Sequence, residues 1–266
     1  MTMENPIGEN TLSETMDVML TEEGGHLKSR TGQPEGYPER FPVPDGKVDW
    51  TEDFPEYTPK IYTADKVFMA NRDIKSGGWA DPPLFDKEKM PLRSFFKEIK
   101  FDSIGLPLNP RGRTGIEGRG LLGKWGPNFA ADSLVTKMVD GKVYLWSVLR
   151  KSGDWAIPGG MVEYGDTVTK TFSKELKEET GMELDFSQAP VIYEGYVDDP
   201  RNTDNAWIET TVAHIKLPET VKIKIGEGKD EKIETKGKAW KELTPEFIKS
   251  MYASHGKFVE LALNNL

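Results

Sequence analysis

Apolar residues in the second half of the chain fall into short continuous runs and into stripes with the period of a helix. The short runs predict four strands, Val143 to Leu149, Val191 to Val197, Ile208 to Leu217 and Val221 to Ile225. The stripes predict three helices, Thr167 to Thr180, Pro245 to Met251 and Lys257 to Leu263. Strands and helices in this order favour an α/β fold in which a mixed sheet lies between helices.

The pattern before residue 121 is different. Residues 30–120 are rich in proline and glycine, with aromatic residues spaced among them, which is typical of an irregular layer of short strands. Residues 1–27 carry several acids and no Lys or Arg, and they predict a disordered or loosely attached arm. We therefore expect three parts: an acidic arm at 1–27, a smaller β-rich N-terminal accessory domain at 28–120, and a catalytic domain at 121–266.

The helix predicted over 167–180 has clear start and stop signals. Asp166 or Thr167 is suited to cap its amino end, and Gly181 is suited to end it. An apolar stripe, which we expect to face the core, consists of Val168, Phe172 and Leu176.

Three carboxylates lie together along one edge of this stripe. Glu175, Glu178 and Glu179 are spaced i, i+3 and i+4, so their side chains project in nearly the same direction. Clustered carboxylates repel one another unless a cation joins them, and magnesium or manganese prefers such hard oxygen ligands together with substrate phosphates. Taken alone, the segment is more commonly a solvated helix face, and Asp166 alone is more commonly a helix cap than a metal ligand.

The joint pattern resembles the Nudix box: glycine, five residues, Glu, seven residues, Arg-Glu, an aliphatic residue, any residue, Glu-Glu, any residue, glycine. Here the box runs from Gly160 to Gly181, with Asp166 where the family has Glu and Lys174 where it has Arg. The resemblance implies an α/β/α sandwich and a set of metal ligands made of Asp166, Glu175, Glu178 and Glu179. Because Asp is shorter than Glu, and Lys lacks the planar donors of Arg, we expect altered metal affinity rather than an inert site.

Segments outside the box resemble one branch of that family. The run at 198–207, Asp-Asp-Pro-Arg-Asn-Thr-Asp-Asn-Ala-Trp, and the segments at 106–128 and 252–255 resemble the ADP-ribose pyrophosphatases. A homologous domain forms the cytosolic tail of the melastatin-type, ADP-ribose-gated cation channels. The resemblance implies that the nucleotide and ribose parts of a substrate are contacted by Asp199, Arg201, Tyr252 and His255.

Each of these four residues also has a plainer interpretation. Residues 199–205 favour an elaborate turn, since Asp, Asn, Pro and Thr all promote turns. His255 alone is more commonly a helix cap or a packed ring, and Tyr252 alone is a core residue. Chemically, Arg201 is suited to pair with a phosphate through two N–H groups, and Asp199 is suited to accept from ribose hydroxyls. Ser254 stands where some relatives have Asn.

The resemblance implies magnesium-dependent hydrolysis of ADP-ribose to AMP and ribose 5-phosphate, with manganese as an alternative cation. The second hypothesis is an ADP-ribose-binding sensor domain of a melastatin-type channel, with slow or no turnover and with channel domains as partners. The intact carboxylates of Glu175, Glu178 and Glu179 favour the enzyme. Another nucleoside diphosphate derivative is a third candidate substrate. The general base stays open between Glu178, Glu179 and activation by metal alone.

The amino-acid composition excludes several classes of partner and of functional site. A formal net charge of -9 argues against nucleic acid as the main partner. The chain has no cysteine, which excludes disulfides, thiolate zinc sites and cysteine nucleophiles and suits a reducing compartment. No apolar run approaches the roughly 18 residues of a membrane helix, so we expect no direct membrane insertion. The amino-terminal pattern fits neither a signal peptide nor a transit peptide, and we expect a cytoplasmic location.

Overall fold

A computed structural model describes residues 26–71, 79–96, 98–163, 165–220 and 235–264. Most of the predicted acidic arm, residues 1–25, lies outside this part of the chain. The strand predicted over Val221 to Ile225 also lies outside it.

The described residues form short elements before residue 121 and longer ones after it. The helices are α1 (Leu27–Thr31), α2 (Asp65–Asn71), α3 (Val168–Thr180), α4 (Pro245–Lys249) and α5 (His255–Leu263), and a 3-10 turn covers Asp45–Lys47. The first strands are β1 (Lys60–Thr63), β2 (Ile116–Gly120), β3 (Gly126–Val139), β4 (Lys142–Arg150) and β5 (Trp155–Ala156). The others are β6 (Gly159–Met161), β7 (Val191–Val197), β8 (Ala206–Leu217) and β9 (Thr235–Glu242).

The seven strands β3 to β9 form one mixed sheet, with β3 at its centre. Residues 126–137 of β3 pair in parallel with residues 206–217 of β8, and the opposite edge of β3 is divided between two antiparallel neighbours. Its first half pairs with β6 and its second half with β4. Strand β7 lies beyond β8, while β5 and β9 both pair with β4. The predicted mixed sheet is therefore confirmed, although β3, β5, β6 and β9 were not predicted as strands.

Alternate residues of the sheet face two separate cores. Leu134 of β3 belongs to a cluster with Phe258 of α5. The next residue, Val135, belongs to a second cluster with Phe172 and Leu176 of α3. Because side chains alternate across a strand, one helix layer must lie on each side of the sheet. This arrangement confirms the α/β/α sandwich.

Helix α3 begins and ends as its sequence indicates. Thr167 Oγ1 accepts a hydrogen bond from the Lys170 amide at 3.2 Å, and this identifies Thr167 as the cap. Gly181 adopts φ 72° after the last turn, a left-handed conformation that glycine takes without a Cβ clash. Phe172 and Leu176 are buried, so the predicted apolar stripe does face the core.

The region before residue 121 packs against the edge of this sandwich as an irregular layer. Its only sheet in the described residues is the parallel pair of β1 and β2. Aromatic rings surround Arg113, whose guanidinium lies 5.0 Å from the Trp50 ring centroid and 5.4 Å from that of Tyr57. His26, inside the range predicted as a loose arm, is buried and bonded to Tyr196. The packed layer thus extends back at least to residue 26.

Candidate functional site

A cavity of about 510 Å³ opens between β3, β6, helix α3 and the loop that follows β7. Its size falls within the range of roughly 300–1,000 Å³ that is usual for small-molecule sites. The cavity brings together seven residues that are far apart in sequence. They are Glu175, Glu178, Glu179, Asp199, Arg201, Tyr252 and His255.

The glycine pair of β6 makes room for the carboxylates of α3. A Cβ atom on Gly160 would collide with the Glu175 carboxylate, and the Gly159 amide donates to Glu179 Oε2 at 3.1 Å. A Cβ on Gly159 would likewise collide with the side chain of Asp132. Gly159 and Gly160 are therefore required here because carboxylates approach the strand backbone closely.

Burial and mutual repulsion hold a proton on this cluster near neutral pH. Burial, opposed in part by the Gly159 amide and reinforced by Glu175, raises the pKa of Glu179 to about 8. Burial and the neighbouring Glu178 raise the pKa of Glu175 to about 7. Glu178 itself is exposed at the mouth of the cavity. A bound cation would relieve both the desolvation and the repulsion.

The donor set fits a hard divalent cation that also takes ligands from its substrate. Carboxylate oxygens are the preferred protein ligands of such ions. Within the described residues, no three His, Asp or Glu side chains form a ready metal-binding group. The α3 carboxylates would supply only part of the coordination of such an ion, and water and phosphate oxygens would complete it.

Two box residues pair with other charged groups and do not line the cavity themselves. The Asp166 carboxylate pairs with Lys170 at 2.5 Å in the first turn of α3, and Asp166 is not among the residues lining the cavity. Its role as a metal ligand stays a prediction. Lys174 pairs with Glu163 at 2.7 Å, and Glu163 does line the cavity.

Asp199, Arg201 and Tyr252 form one hydrogen-bonded unit in the cavity wall. Asp199 accepts from Arg201 Nε at 2.8 Å and Nη2 at 2.9 Å, and from the Tyr252 hydroxyl at 3.1 Å. Burial alone would raise the pKa of Asp199, but the Arg201 guanidinium outweighs it and holds the pKa below its usual range. The two-pronged pair fixes the plane of the guanidinium, so Arg201 presents its charge to the cavity in a set orientation.

His255 lies beside a carboxylate that the sequence analysis did not single out. Its Nδ1 accepts from the Ile157 amide at 2.8 Å, so the neutral ring carries its proton on Nε2. Burial, with Arg150 nearby, lowers the pKa of His255 to about 3, and the ring is neutral in the physiological range. Nε2 lies 3.9 Å from Oδ1 of Asp132, whose pKa burial raises to about 6. Thr210 donates to the other oxygen of Asp132 at 2.7 Å.

Several cavity residues were missed because no local pattern in the sequence marks them as part of a site. Asp132 and Phe129 belong to β3, which polar residues interrupt in the sequence. Arg150, at the end of β4, lies 4.3 Å from the Tyr252 ring centroid. Trp79 comes from the accessory region, and residues 121–124 form the turn directly after it. Only the tertiary fold reveals these contributions.

Comparison with known proteins identifies the family to which this chain is similar. The family described as "NUDT9-like, N-terminal domain" matches residues 43–126, and the family described as "NUDIX domain" matches residues 131–261. Putative nudix hydrolase 6 of Caenorhabditis elegans is 38% identical, over 84% of this chain and 89% of its own length. The mitochondrial ADP-ribose pyrophosphatase of Rattus norvegicus is 35% identical, over 90% of this chain and 78% of its own length.

A cation channel shares the same region. The transient receptor potential cation channel subfamily M member-like 2 of Nematostella vectensis is 38% identical over 71% of this chain, which corresponds to 14% of the channel. The chain belongs to the Nudix family, and within it to the Nudix hydrolases with a NUDT9-like N-terminal domain. Nudix hydrolases generally use a divalent metal ion. Among the described residues, no helix is long and apolar enough to cross a bilayer.

Proposed function

We propose that this protein hydrolyses the pyrophosphate of ADP-ribose, giving AMP and ribose 5-phosphate, with magnesium as its metal ion and manganese as a substitute. One P–O bond of the anhydride breaks and one P–O bond forms to the oxygen of water. The observation that carries the proposal is the cavity itself, in which the α3 carboxylates face the Asp199, Arg201 and Tyr252 unit. The name of the rat relative supports the choice of substrate.

In this proposal the residues of the cavity have separate roles in binding the metal ion and the phosphates. Glu175, Glu178 and Glu179 would hold the metal ion, which when bound neutralises phosphate charge and lowers the pKa of water. Arg201, fixed by Asp199, binds a phosphate oxygen and orients the anhydride. The Tyr252 hydroxyl donates to the second oxygen of Asp199 and so helps to hold the Asp199–Arg201 pair in place in the cavity wall.

His255 and Asp132 form a site for a sugar hydroxyl. The 3.9 Å separation of Nε2 and Oδ1 is too long for a direct hydrogen bond. A single oxygen lying about 2.8 Å from each atom can accept from His255 and donate to Asp132. A ribose hydroxyl has both capacities, so the pair favours a substrate that contains ribose.

The sensor hypothesis is less well supported. The chain covers most of the length of the hydrolase relatives but only a small part of the channel, and the α3 carboxylates are intact. Association with channel domains stays a prediction, as does the cytoplasmic location, since the rat relative is called mitochondrial. The charged groups of the cavity suit a small anionic substrate with a metal ion.

The test is direct. The protein is incubated with ADP-ribose and magnesium, and AMP is followed by chromatography for the wild type and for the double variant Glu178→Gln, Glu179→Gln. We expect AMP from the wild type and a loss of at least about a hundredfold in the variant. Glu183→Gln is the matched control, because Glu183 is exposed and pairs with Lys177 outside the cavity. Equal AMP from both would refute the metal site, and no AMP from either, with ADP-ribose bound, would favour a sensor.

A further inference from the structure

Four successive backbone carbonyls, those of residues 199–202, accept hydrogen bonds from the accessory region. The donors are the side chains of Ser29, Tyr37 and Arg40, which we call the N-terminal brace. The bonds are Ser29 Oγ to the Asp199 carbonyl at 3.1 Å, Tyr37 OH to the Arg201 carbonyl at 2.7 Å, and Arg40 Nη2 to the Pro200 and Asn202 carbonyls at 2.6 and 3.1 Å. The backbone of this loop is thus held by residues more than 150 positions away in sequence.

The same loop serves the cavity with its side chains. Asp199 and Arg201 line the cavity, while their carbonyls point to the brace. Inside the loop, the backbone bonds are Asp199 N to Val197 O and Asn202 N to Asp199 O. Gly32 lies so close to Pro200 that a Cβ atom on it would collide with the proline. The segment that carries the brace therefore lies in close contact with the loop.

The hydroxyl of Tyr37 joins two walls of the cavity. It donates to the Arg201 carbonyl and accepts from the Leu121 amide at 2.9 Å, and both of these residues line the cavity. The phenol is buried, and its ring packs edge-on against Tyr62 at 5.1 Å. Because the ring is fixed by packing, its single oxygen sets the distance between the Arg201 loop and the turn at residue 121.

We propose that the N-terminal brace positions the substrate-binding pair Asp199 and Arg201, and that Tyr37 is a positioning residue for recognition of the diphosphate. The inference rests on the proposed function, because it takes Arg201 to bind a substrate phosphate. A loop that lost the brace would keep its chemistry but not the orientation of the guanidinium. A misplacement of about 1 Å at such a contact is costly for binding and turnover.

Tyr37→Phe removes one oxygen and leaves the packed ring in place. The matched control is Tyr57→Phe, since the Tyr57 hydroxyl likewise bridges two segments: it donates to the Asp204 side chain at 2.5 Å, near the far end of the same loop, and accepts from the Gly115 amide at 2.9 Å. Asp204 is not among the cavity residues. Both variants lose a hydrogen-bonding hydroxyl, so both are expected to lose stability, but Tyr37 bonds to Arg201 itself, whereas Tyr57 bonds to Asp204, three residues further on and outside the cavity.

Two measurements at a temperature where every variant is folded decide the question. The first is the Kd for ADP-ribose by calorimetry without divalent cation, together with kcat/KM with magnesium. We expect Tyr37→Phe to weaken both by roughly five- to tenfold, and Tyr57→Phe to change neither by more than about twofold. Arg40→Lys, which cannot reach the same carbonyls together, is expected to act in the direction of Tyr37→Phe.

The second measurement is hydrogen exchange of the peptide that spans residues 198–203, recorded without substrate. We expect faster exchange in Tyr37→Phe and wild-type exchange in Tyr57→Phe. Unchanged affinity and unchanged exchange in Tyr37→Phe would refute the proposal that the brace positions Asp199 and Arg201. Equal effects in Tyr37→Phe and Tyr57→Phe would refute it as well. If the wild type forms no AMP, the proposed function fails, while the exchange comparison still decides whether the brace orders the loop.

Discussion

Binding of a divalent cation should release protons from the α3 carboxylates. With pKa values of about 7 for Glu175 and about 8 for Glu179, the first is half protonated and the second about nine-tenths protonated at pH 7. A cation that binds both as carboxylates must therefore displace about 1.4 protons at pH 7 and about 0.1 at pH 9. Its apparent affinity should rise over the same interval.

The assay is isothermal titration of the metal-free protein with manganese or magnesium in buffers of different ionisation enthalpy. The slope of the observed heat against that enthalpy gives the number of protons released. Glu179→Gln should lower the release at pH 7 to about half a proton, because only Glu175 then titrates. Glu183→Gln is the control and should leave the number unchanged, since the Lys177 contact already lowers the pKa of Glu183.

The expected result depends on both burial and the identity of the ligands. Cation binding at pH 7 without proton release would show that Glu175 and Glu179 are ionised beforehand or do not bind the ion. The same release from Glu179→Gln as from the wild type would place the titrating group elsewhere.

Three other changes test separate parts of the site. The pKa of Glu179 is raised from 4.5 to about 8, so its contribution to stability is complete below its ordinary pKa and is lost as pH rises through about 8. The Tm of the metal-free protein, measured by calorimetry, should therefore fall between about pH 6 and 9. Glu179→Gln should make that fall smaller. Arg201→Ala leaves Asp199 buried without its cation, and urea unfolding should show a loss of about 3–5 kcal/mol, with KM raised at least about tenfold; an unchanged KM would make Arg201 a turn residue only. Asp132→Ala should weaken either AMP or ribose 5-phosphate by about tenfold but not pyrophosphate, by calorimetry; equal binding of all three in variant and wild type would contradict the hydroxyl site.

The sequence predicts α3 and its carboxylates well because all of their determinants are local. The cap, the apolar stripe and the terminal glycine lie within about four turns of one helix, and each acts on its own neighbours. The spacing of Glu175, Glu178 and Glu179 likewise fixes their common direction once the helix forms. What the spacing does not show is that Gly159 and Gly160 lie opposite, where their missing side chains admit the carboxylates.

Strand β3 could not be predicted because its polar residues find their partners only in the folded protein. Ser133 donates to a carbonyl of α3, Thr136 bonds to His214, and Asp132 accepts from Thr210 on the neighbouring strand. Along the chain these residues break the apolar pattern of a buried strand. In the sheet each of them has a hydrogen-bond partner, so the strand runs through. The cavity carboxylate Asp132 was missed for the same reason.

The glycine-rich segment before β3 packs closely inside the accessory region, which also contacts the site. Gly115 and Gly118 both have φ +87°, and a Cβ on either would collide with a carbonyl of the accessory region, from Phe41 and Tyr62 respectively. These glycines therefore mark close backbone contacts inside the accessory region rather than a flexible linker. The same region carries Tyr37, whose hydroxyl donates to the Arg201 carbonyl. The loop that follows β7 is consequently oriented by the accessory region, whose sequence carries no catalytic pattern. Changes in that region should appear first as lost substrate affinity.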